Sequence, residues 1–214
     1  MGMGAINGRA SMQIDDMHFP ERQQLWMVWP EAKLKTPIDP KVRDGYFIRS
    51  YQAGDDLPFI ALMALMDFDP WTQEKHEFNV SRLLPEGWFF AVEAKSNNVV
   101  GTAMCLHNYT ERSPFTGDLG WLACHPHHIG KGLGHSLSAY VTNRFRAAGY
   151  SLIQLHTEYH RLPAIKTYLK LGYVPVMYCQ EVYELWEDVC RKLGWPYTPG
   201  EWPTKVAGSN HGQA

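Results

Sequence analysis

Residues 125–137 read HPHHIGKGLGHSL and carry three alternating glycines, Gly130, Gly132 and Gly134, directly before a stretch with helical spacing. An apolar run at residues 119–124 precedes them, so the predicted order is strand, glycine loop, helix. Such a loop exposes successive backbone N–H groups at the positive end of a helix dipole, where phosphate groups bind. Glycines disfavour helix formation, so three of them at alternating positions before a helix indicate that the backbone itself is needed for binding.

Three kinds of phosphate loop compete for this stretch. The loop of nucleoside triphosphatases, GxxxxGK[ST], is excluded because Gly132 follows Lys131. A dinucleotide-binding loop requires GxGxxG early in a βαβ unit, whereas the spacing here is GxGxG after several β-segments. A cradle for the pyrophosphate of coenzyme A fits both the spacing and the order, and a glycine-rich turn that binds nothing is the weaker alternative.

Composition limits the classes of protein that the chain can represent. The 214 residues are 45% hydrophobic and 13% aromatic, enough for one substantial domain with extensions. A formal net charge of -2 disfavours nucleic-acid binding. No apolar run approaches the ~20 residues that span a bilayer, and no signal peptide is visible, so we expect a cytoplasmic protein without membrane association.

The chain pattern predicts an α/β domain with a mixed sheet over residues 45–195. We expect an N-terminal arm at 1–44, with an edge strand at 25–29, and a flexible C-terminal tail at 196–214. The predicted strands of the domain are 46–51, 88–94, 99–107, 118–124, 151–157 and 173–182. The predicted helices are 57–66, 72–83, 133–148, 163–171 and a last amphipathic one carrying Leu185, Val189 and Leu193.

Two motifs carry a resemblance to a known family. Residues 129–134, IGKGLG, match the pattern Arg/Gln-x-x-Gly-x-Gly/Ala, with Ile129 in the first position. Residues 161–173 match Asn-x-x-Ala-x-x-x-Tyr-x-Lys-x-Gly-Phe, with Arg161 in place of Asn. Together they make residues 46–178 similar to the GNAT family of N-acetyltransferases. The resemblance implies a central mixed, mostly antiparallel sheet flanked by helices, the acyl-CoA N-acyltransferase fold.

The resemblance also implies a cofactor and a reaction. The cofactor is acetyl-CoA (coenzyme A), and the acceptor is a primary amine of a small molecule or a peptide that attacks the thioester directly. In the family, a bulge before the glycine loop offers backbone N–H groups to the pantetheine or the thioester. The cofactor-binding residues implied in this way are Leu122 and Cys124 at the bulge, Ile129, Gly130, Lys131, Gly132, Leu133 and Gly134 in the loop, and Arg161.

Acetyl transfer requires a neutral amine, donors for the oxyanion and a proton for the leaving thiolate. Tyr168 is the candidate general acid, because its helical face points toward the sheet. Spacing alone favours a core tyrosine with a satisfied hydroxyl, and the resemblance to the family reverses that preference. Asp118 and His156 are the candidate bases. The alternatives are an ordered water chain in place of a dedicated base, and a turn-forming role for Asp118. Asp118, Gly120, Leu122 and Cys124 are predicted to share one strand face.

The acceptor site is the least defined part of the sequence. Asp67, Asp69 and Trp71 are candidate substrate-binding residues, because carboxylates and aromatic rings suit a cationic amine; helix capping and packing explain them equally well. His125, His127 and His128 fall in one short turn, and no metal site is predicted there. The oligomeric state stays open, with a homodimer as one option. A rival function is a non-catalytic acyl-CoA-binding or sensor domain of the same fold.

Overall fold

The computed structural model describes residues 24–66, 70–108 and 115–206, which form a seven-stranded sheet with α-helices on both faces. The strands are β1 Gln24–Val28, β2 Tyr46–Ser50, β3 Leu83–Glu93, β4 Asn98–His107, β5 Thr116–Cys124, β6 Leu152–Glu158 and β7 Val174–Pro175. The helices are α1 Asp56–Met63, α2 Gln73–Val80, α3 Leu133–Ala147, α4 Leu162–Leu171 and α5 Glu181–Leu193. The spatial order is β2-β3-β4-β5-β6-β1-β7, and only β5 and β6 pair in parallel. The predicted mixed, mostly antiparallel sheet is confirmed.

Each face of the sheet has its own apolar core. Helices α3, α4 and α5 pack on one face, here called the α3 face, through side chains such as Leu137, Ile165 and Trp186. Helix α1 packs on the opposite face, the α1 face, where Phe59 contacts Trp88. Apolar burial of this kind is the main force that holds the helices on the sheet.

Gly117 brings α3 close to β5. A Cβ atom at Gly117 would lie 2.5 Å from Cδ1 of Phe145, a side chain of α3. Because real Cβ atoms do not approach carbon so closely, only glycine allows the helix to lie at this depth. The contact fixes α3, and therefore the glycine loop at its N-terminus, relative to the strand that leads into the loop.

Strands β5 and β6 separate after a short stretch of pairing. Their register joins Thr116 to Leu152 and Asp118 to Gln154, and no pairing with β6 is seen for the rest of β5. Further along, the β4–β5 register shifts at Trp121, whose φ of 50° is left-handed. A register shift with a left-handed residue is a β-bulge, as the resemblance implies for this strand. The sheet therefore opens into a V between β5 and β6.

Strand β1 lies inside the sheet, which corrects the prediction of an edge strand at 25–29. It pairs with β6 on one side and with β7 on the other, so that Trp26 lies opposite His156 and Met27 opposite Pro175. Its residues from Leu25 to Val28 are at most 5% exposed. A strand covered on both faces needs apolar residues at every position, which explains the continuous run LWMV.

Two further elements end earlier than the sequence predicts. The strand predicted at 173–182 is reduced to Val174–Pro175, since proline has no N–H to continue the ladder and α5 begins at Glu181. The second helix ends at Val80, because β3 already begins at Leu83.

The predicted flexible tail packs on the domain as far as the structure describes it. Trp202 contacts Trp186 at a ring-centroid distance of 5.8 Å, and the Met177 N–H donates to the Pro203 carbonyl oxygen at 2.8 Å. Residues 1–23 of the arm and 207–214 of the tail lie outside the described residues. In the described ranges, no helix has the length and apolarity to cross a bilayer.

Candidate active site

The glycine loop presents a run of backbone donors. Gly130 and Gly132 have φ values of 79° and 81°, and α3 begins at Leu133. Across the described part of the chain, no acceptor is seen for the N–H groups of residues 130–135, because the first intrahelical bond is Ser136 N–H to the Gly132 carbonyl oxygen. A Cβ atom at Gly130 or Gly132 would meet nothing within 4 Å, so the space above the loop is open. Successive free N–H groups at a helix N-terminus suit a diphosphate anion such as that of coenzyme A.

The side chains of Ile129 and Lys131 differ in what they can offer an anion at the loop. Ile129 is 64% exposed and offers no polar group, so the loop depends on its backbone. The Lys131 ammonium donates to the Tyr46 hydroxyl at 2.9 Å and lies 3.5 Å from Nδ1 of His128. The Lys131 charge is thus held beside the loop by Tyr46, and its role in cofactor binding stays a prediction. Partial burial and the Lys131 charge lower the pKa of His128.

The bulge at Trp121 divides the residues that were predicted to share one strand face. Asp118 lies opposite Leu106, and a Cβ at Gly120 would lie 2.5 Å from Cδ1 of Leu106, which places both positions on the α1 face. Leu122 and Cys124 pack into the core of the α3 face. The prediction of a common face is wrong, because the extra residue of a bulge reverses the alternation of side chains beyond it.

Tyr168 is buried on the α3 face, 5% exposed, and packs in the same core as Cys124. Burial, followed by the proximity of Cys124, raises the pKa of Tyr168 well above its ordinary value. The phenol therefore carries its proton at neutral pH, as a proton donor must. In the described ranges, no hydrogen bond of its hydroxyl is seen.

Arg161 precedes α4, and its Nε donates to Oε2 of Glu158 at 2.5 Å. The guanidinium acts on Tyr168 in the opposite sense to burial, since its positive charge lowers the pKa of that phenol. Arg161 therefore lies near the candidate acid, and the carboxylate of Glu158 compensates its charge.

The Cys124 thiol is not prepared for nucleophilic attack. Burial raises the pKa of Cys124 to about 12, so the thiolate form is scarce at neutral pH. A nucleophilic cysteine requires a lowered pKa or an adjacent base. Within the described residues neither form of activation is seen at Cys124, so this thiol is a poor candidate for a nucleophile.

The two candidate bases lie side by side where β5 and β6 separate. Nδ1 of His156 is 3.9 Å from Oδ1 of Asp118, an ion-pair distance that exceeds a direct hydrogen bond. The Asp118 side chain is 5% exposed and that of His156 is 19% exposed, so the imidazole is the one that reaches solvent. Both residues lie on the α1 face, whereas Tyr168 lies on the α3 face.

Two further residues hold this pair, and sequence reasoning missed both. Nε2 of Gln154 donates to Oδ1 of Asp118 at 2.8 Å, and Nε1 of Trp26 donates to Oε1 of Gln154 at 3.0 Å. The Trp26 ring also stacks on the His156 ring, with centroids 6.0 Å apart and an interplanar angle of 16°. Gln154 could have been found as a polar residue two positions before His156 in an apolar strand; nothing local signals Trp26.

Trp71, a predicted acceptor-site residue, packs against the bulge. Its ring meets the Trp121 ring edge-on at 4.7 Å, and Nε1 of Trp121 donates to Oδ1 of Asn79 at 2.6 Å. The Lys75 ammonium lies 4.6 Å from the Trp121 ring centroid and 5.2 Å from that of Trp71. The chain thus supplies its own cation to these rings. The predicted residues Asp67 and Asp69 lie outside the described residues.

The three histidines before the loop form a compact turn. The His125 and His128 rings are 5.6 Å apart, and Nδ1 of His125 accepts from the His127 N–H at 3.3 Å. In the ranges that the structure covers, no three His, Cys, Asp or Glu side chains are arranged to hold a metal ion.

Comparison with known proteins identifies the domain. The model of the acetyltransferase (GNAT) family matches residues 58–173, more than half of the chain. A mycothiol acetyltransferase from Nocardia farcinica is 28% identical over 165 residues, which are 72% of this chain and 53% of that protein. The chain therefore spans about half the length of this relative.

Solved structures share the fold at low sequence identity. A GCN5-related N-acetyltransferase from Sphaerobacter thermophilus superposes with a TM-score of 0.58 at 21% identity, over 78% of this chain and 54% of that one. The ribosomal-protein-S18-alanine N-acetyltransferase from Escherichia coli gives a TM-score of 0.50 at 18% identity, over 59% of this chain and 76% of that one. These likenesses concern the arrangement of the sheet and helices.

Proposed function

Because the chain belongs to the acetyltransferase (GNAT) family, we propose that it transfers the acetyl group of acetyl-CoA to a primary amine by direct attack on the thioester. The observation that carries the proposal is the open run of N–H donors at residues 130–135 beside the V between β5 and β6. Bound there, coenzyme A would present an activated acetyl group at the V. The acceptor is a small molecule or a peptide and reaches the V from the α1 face.

The loop residues bind the donor through the backbone. Six N–H groups at the start of α3, those of Gly130 to His135, have no acceptor among the described residues, and the Lys131 ammonium adds positive charge from its position on Tyr46. At the bulge, the backbone near Leu122 is released from the β4 ladder and offers donors to the thioester carbonyl oxygen. These contacts orient the donor and stabilise the charge that develops on that oxygen.

Proton transfer is divided between the two faces. The Asp118–His156 pair takes a proton from the attacking amine, with the more exposed His156 imidazole as the acceptor. As the new carbon–nitrogen bond forms, the carbon–sulfur bond breaks, and the Tyr168 hydroxyl gives its proton to the departing sulfur. His156 then releases the amine proton to solvent, Tyr168 regains a proton from solvent, and no bond to the enzyme is formed.

The names of the relatives do not identify the acceptor of this chain. The Nocardia protein is named for mycothiol, but at 28% identity and half its length this chain is not expected to share its acceptor by default. The rings of Trp71 and Trp121, with the Lys75 ammonium on them, form the wall that an acceptor on the α1 face would meet. A flat or apolar portion beside the amine suits such a wall.

A thiol-release assay tests the proposal. Full-length protein is incubated with acetyl-CoA and a panel of primary amines that includes small molecules and peptides, and free coenzyme A thiol is measured. We expect release with at least one amine above the rate of spontaneous hydrolysis. Measurable coenzyme A binding without release for any amine would instead support the acyl-CoA-binding or sensor domain.

A further inference from the structure

Strand β1 brings an indole N–H into the hydrogen bonds of the candidate base. Trp26 and Gln154 are 128 positions apart in the chain, yet Nε1 of Trp26 donates to Oε1 of Gln154 at 3.0 Å. Trp26 is 4% exposed and Gln154 is 5% exposed, so the bond is shielded from water. A shielded bond between an obligate donor and an amide oxygen determines which end of the amide points away from Trp26.

The orientation of Gln154 decides what Asp118 meets. With its oxygen on Trp26, the amide turns Nε2 toward Asp118 and donates to Oδ1 at 2.8 Å. That same oxygen is the atom 3.9 Å from Nδ1 of His156. Gln154 and His156 therefore compete for one carboxylate oxygen, and Gln154 holds it at hydrogen-bonding distance.

A hydrogen bond donated to a carboxylate stabilises its charged form. The bond from Gln154 therefore disfavours a proton on Asp118, and by occupying Oδ1 it keeps a protonated His156 from a direct hydrogen bond to that oxygen. Both effects favour the state of the pair in which neither group carries the extra proton. Without it, the buried carboxylate would be stabilised by a proton held on either member of the pair. Because the two groups interact, they take up this proton as a pair.

We propose that Trp26 and Gln154 are positioning residues that lower the pH at which the Asp118–His156 pair takes up a proton. This inference rests on the proposed function for its catalytic meaning: a base that is unprotonated near neutral pH can accept a proton from the amine. Neither positioning residue touches the acceptor in this scheme. They act by holding the Asp118 carboxylate.

Among the described residues, the ion pair seen for His156 is the one with Asp118. On β6, Glu158 is paired with Arg161. On β1, the nearest side chains are neutral, those of Gln24 and Trp26. Beyond β7, the Tyr178 ring is tilted against Trp26 and its hydroxyl donates to the Gln24 carbonyl oxygen at 2.9 Å; burial raises the pKa of Tyr178, so it stays neutral.

The experiment is an NMR titration of the His156 ring protons in the protein without acceptor. The variants are Gln154→Leu and Trp26→Phe, and His156→Gln assigns the signal. The matched control is Trp29→Phe, since Trp29 is 5% exposed, packs against Tyr173 in the core of the α3 face, and its Nε1 has no partner in the described residues.

We expect the midpoint to move to higher pH in Gln154→Leu and, by a smaller amount, in Trp26→Phe, where the amide is still present but free to turn. Trp29→Phe should titrate like the wild type. An unchanged or lowered midpoint in Gln154→Leu overturns the inference, even if Trp26→Phe does not fold. Because the titration needs no turnover, it decides the matter independently of whether any amine is acetylated.

If transfer is observed, the rate gives a second readout. The acidic limb of the kcat profile should move to higher pH in both variants, with kcat recovering at high pH and KM for acetyl-CoA unchanged. A uniform loss of kcat at every pH would mean that the variants only disturb packing.

Discussion

The two sides of the opening between β5 and β6 differ in the groups that form them, backbone N–H groups on one side and side chains on the other. The donor side is six consecutive backbone N–H groups, at residues 130–135, that one short segment supplies. The proton-transfer side on the α1 face consists of side chains from β5, β6 and β1, with Trp26 and Gln154 128 positions apart. A local backbone site follows from sequence spacing, whereas a side-chain site exists only once the topology has assembled it.

The largest expected effect concerns the candidate acid. Tyr168→Phe should lower kcat about 100-fold or more while coenzyme A affinity is unchanged, because general acid catalysis contributes ~10²–10⁴-fold. The measurements are steady-state thiol release and calorimetric coenzyme A binding. The control is Tyr173→Phe, another buried tyrosine, whose hydroxyl bonds Thr142 Oγ1 at 2.7 Å. It should cost about 1 kcal/mol of stability and leave kcat unchanged. Equal kcat in the two variants would remove Tyr168 from the chemistry.

The next effect concerns the donor side. Gly132→Val should weaken coenzyme A binding about tenfold, ~1.4 kcal/mol, because a β-branched residue is strained at the left-handed φ of Gly132 and its side chain enters the cradle. Gly149→Val is the matched control. Gly149 also has a left-handed φ of 82° and equally open surroundings, but it lies at the opposite end of α3. Both variants should lose similar stability in thermal unfolding. A similar loss of affinity in both would show that strain, and not the cradle, is responsible.

A smaller effect is expected for the lysine of the loop. Lys131→Met should weaken coenzyme A binding about two- to fourfold, since its half-buried ammonium is held on Tyr46 and acts as a nearby charge. The loss should shrink as ionic strength rises. Lys95→Met is the control. The Ser96 hydrogen bond and then the charges of His128, Lys131 and Lys95 lower the pKa of Glu93, yet Lys95 lies in the β3–β4 turn. A loss above tenfold that salt does not reduce would mean that Lys131 leaves Tyr46 and contacts the phosphates directly.

The smallest effect is expected at Cys124. Cys124→Ala should keep kcat within about threefold, because a residue that forms no covalent intermediate contributes only packing. Steady-state kinetics and mass spectrometry of the protein quenched during turnover measure this. Acetylated protein in the wild type, absent from Cys124→Ala, would establish a covalent route and contradict direct attack.

The order of elements and the glycine loop could be predicted from local patterns. Alternating glycines before the helical spacing of α3, and the apolar runs of β3, β4 and β5, depend on neighbouring residues only. The strand predicted at 173–182 failed, because an apolar run does not show that a proline ends its pairing and that β1 occupies the neighbouring position in the sheet.

The candidate site was predictable in its members more than in its arrangement. Asp118, His156 and Tyr168 each follow from spacing or from the family motif, and the structure brings the first two within 3.9 Å. Their division between two faces was not predictable, since one left-handed residue, Trp121, reverses the alternation of β5. The acid and base roles stay predictions that the variants above decide.

The interior position of β1 has a consequence for how the chain folds during synthesis. The ribosome makes β1 before the other six described strands, and its partners β6 and β7 follow more than 120 residues later. Until then the apolar segment LWMV has no strand beside it, and a waiting strand edge of this kind invites association with other chains. Pairing across so long a separation is also slow. The last step of folding should therefore be the entry of β1, which also brings Trp26 to Gln154.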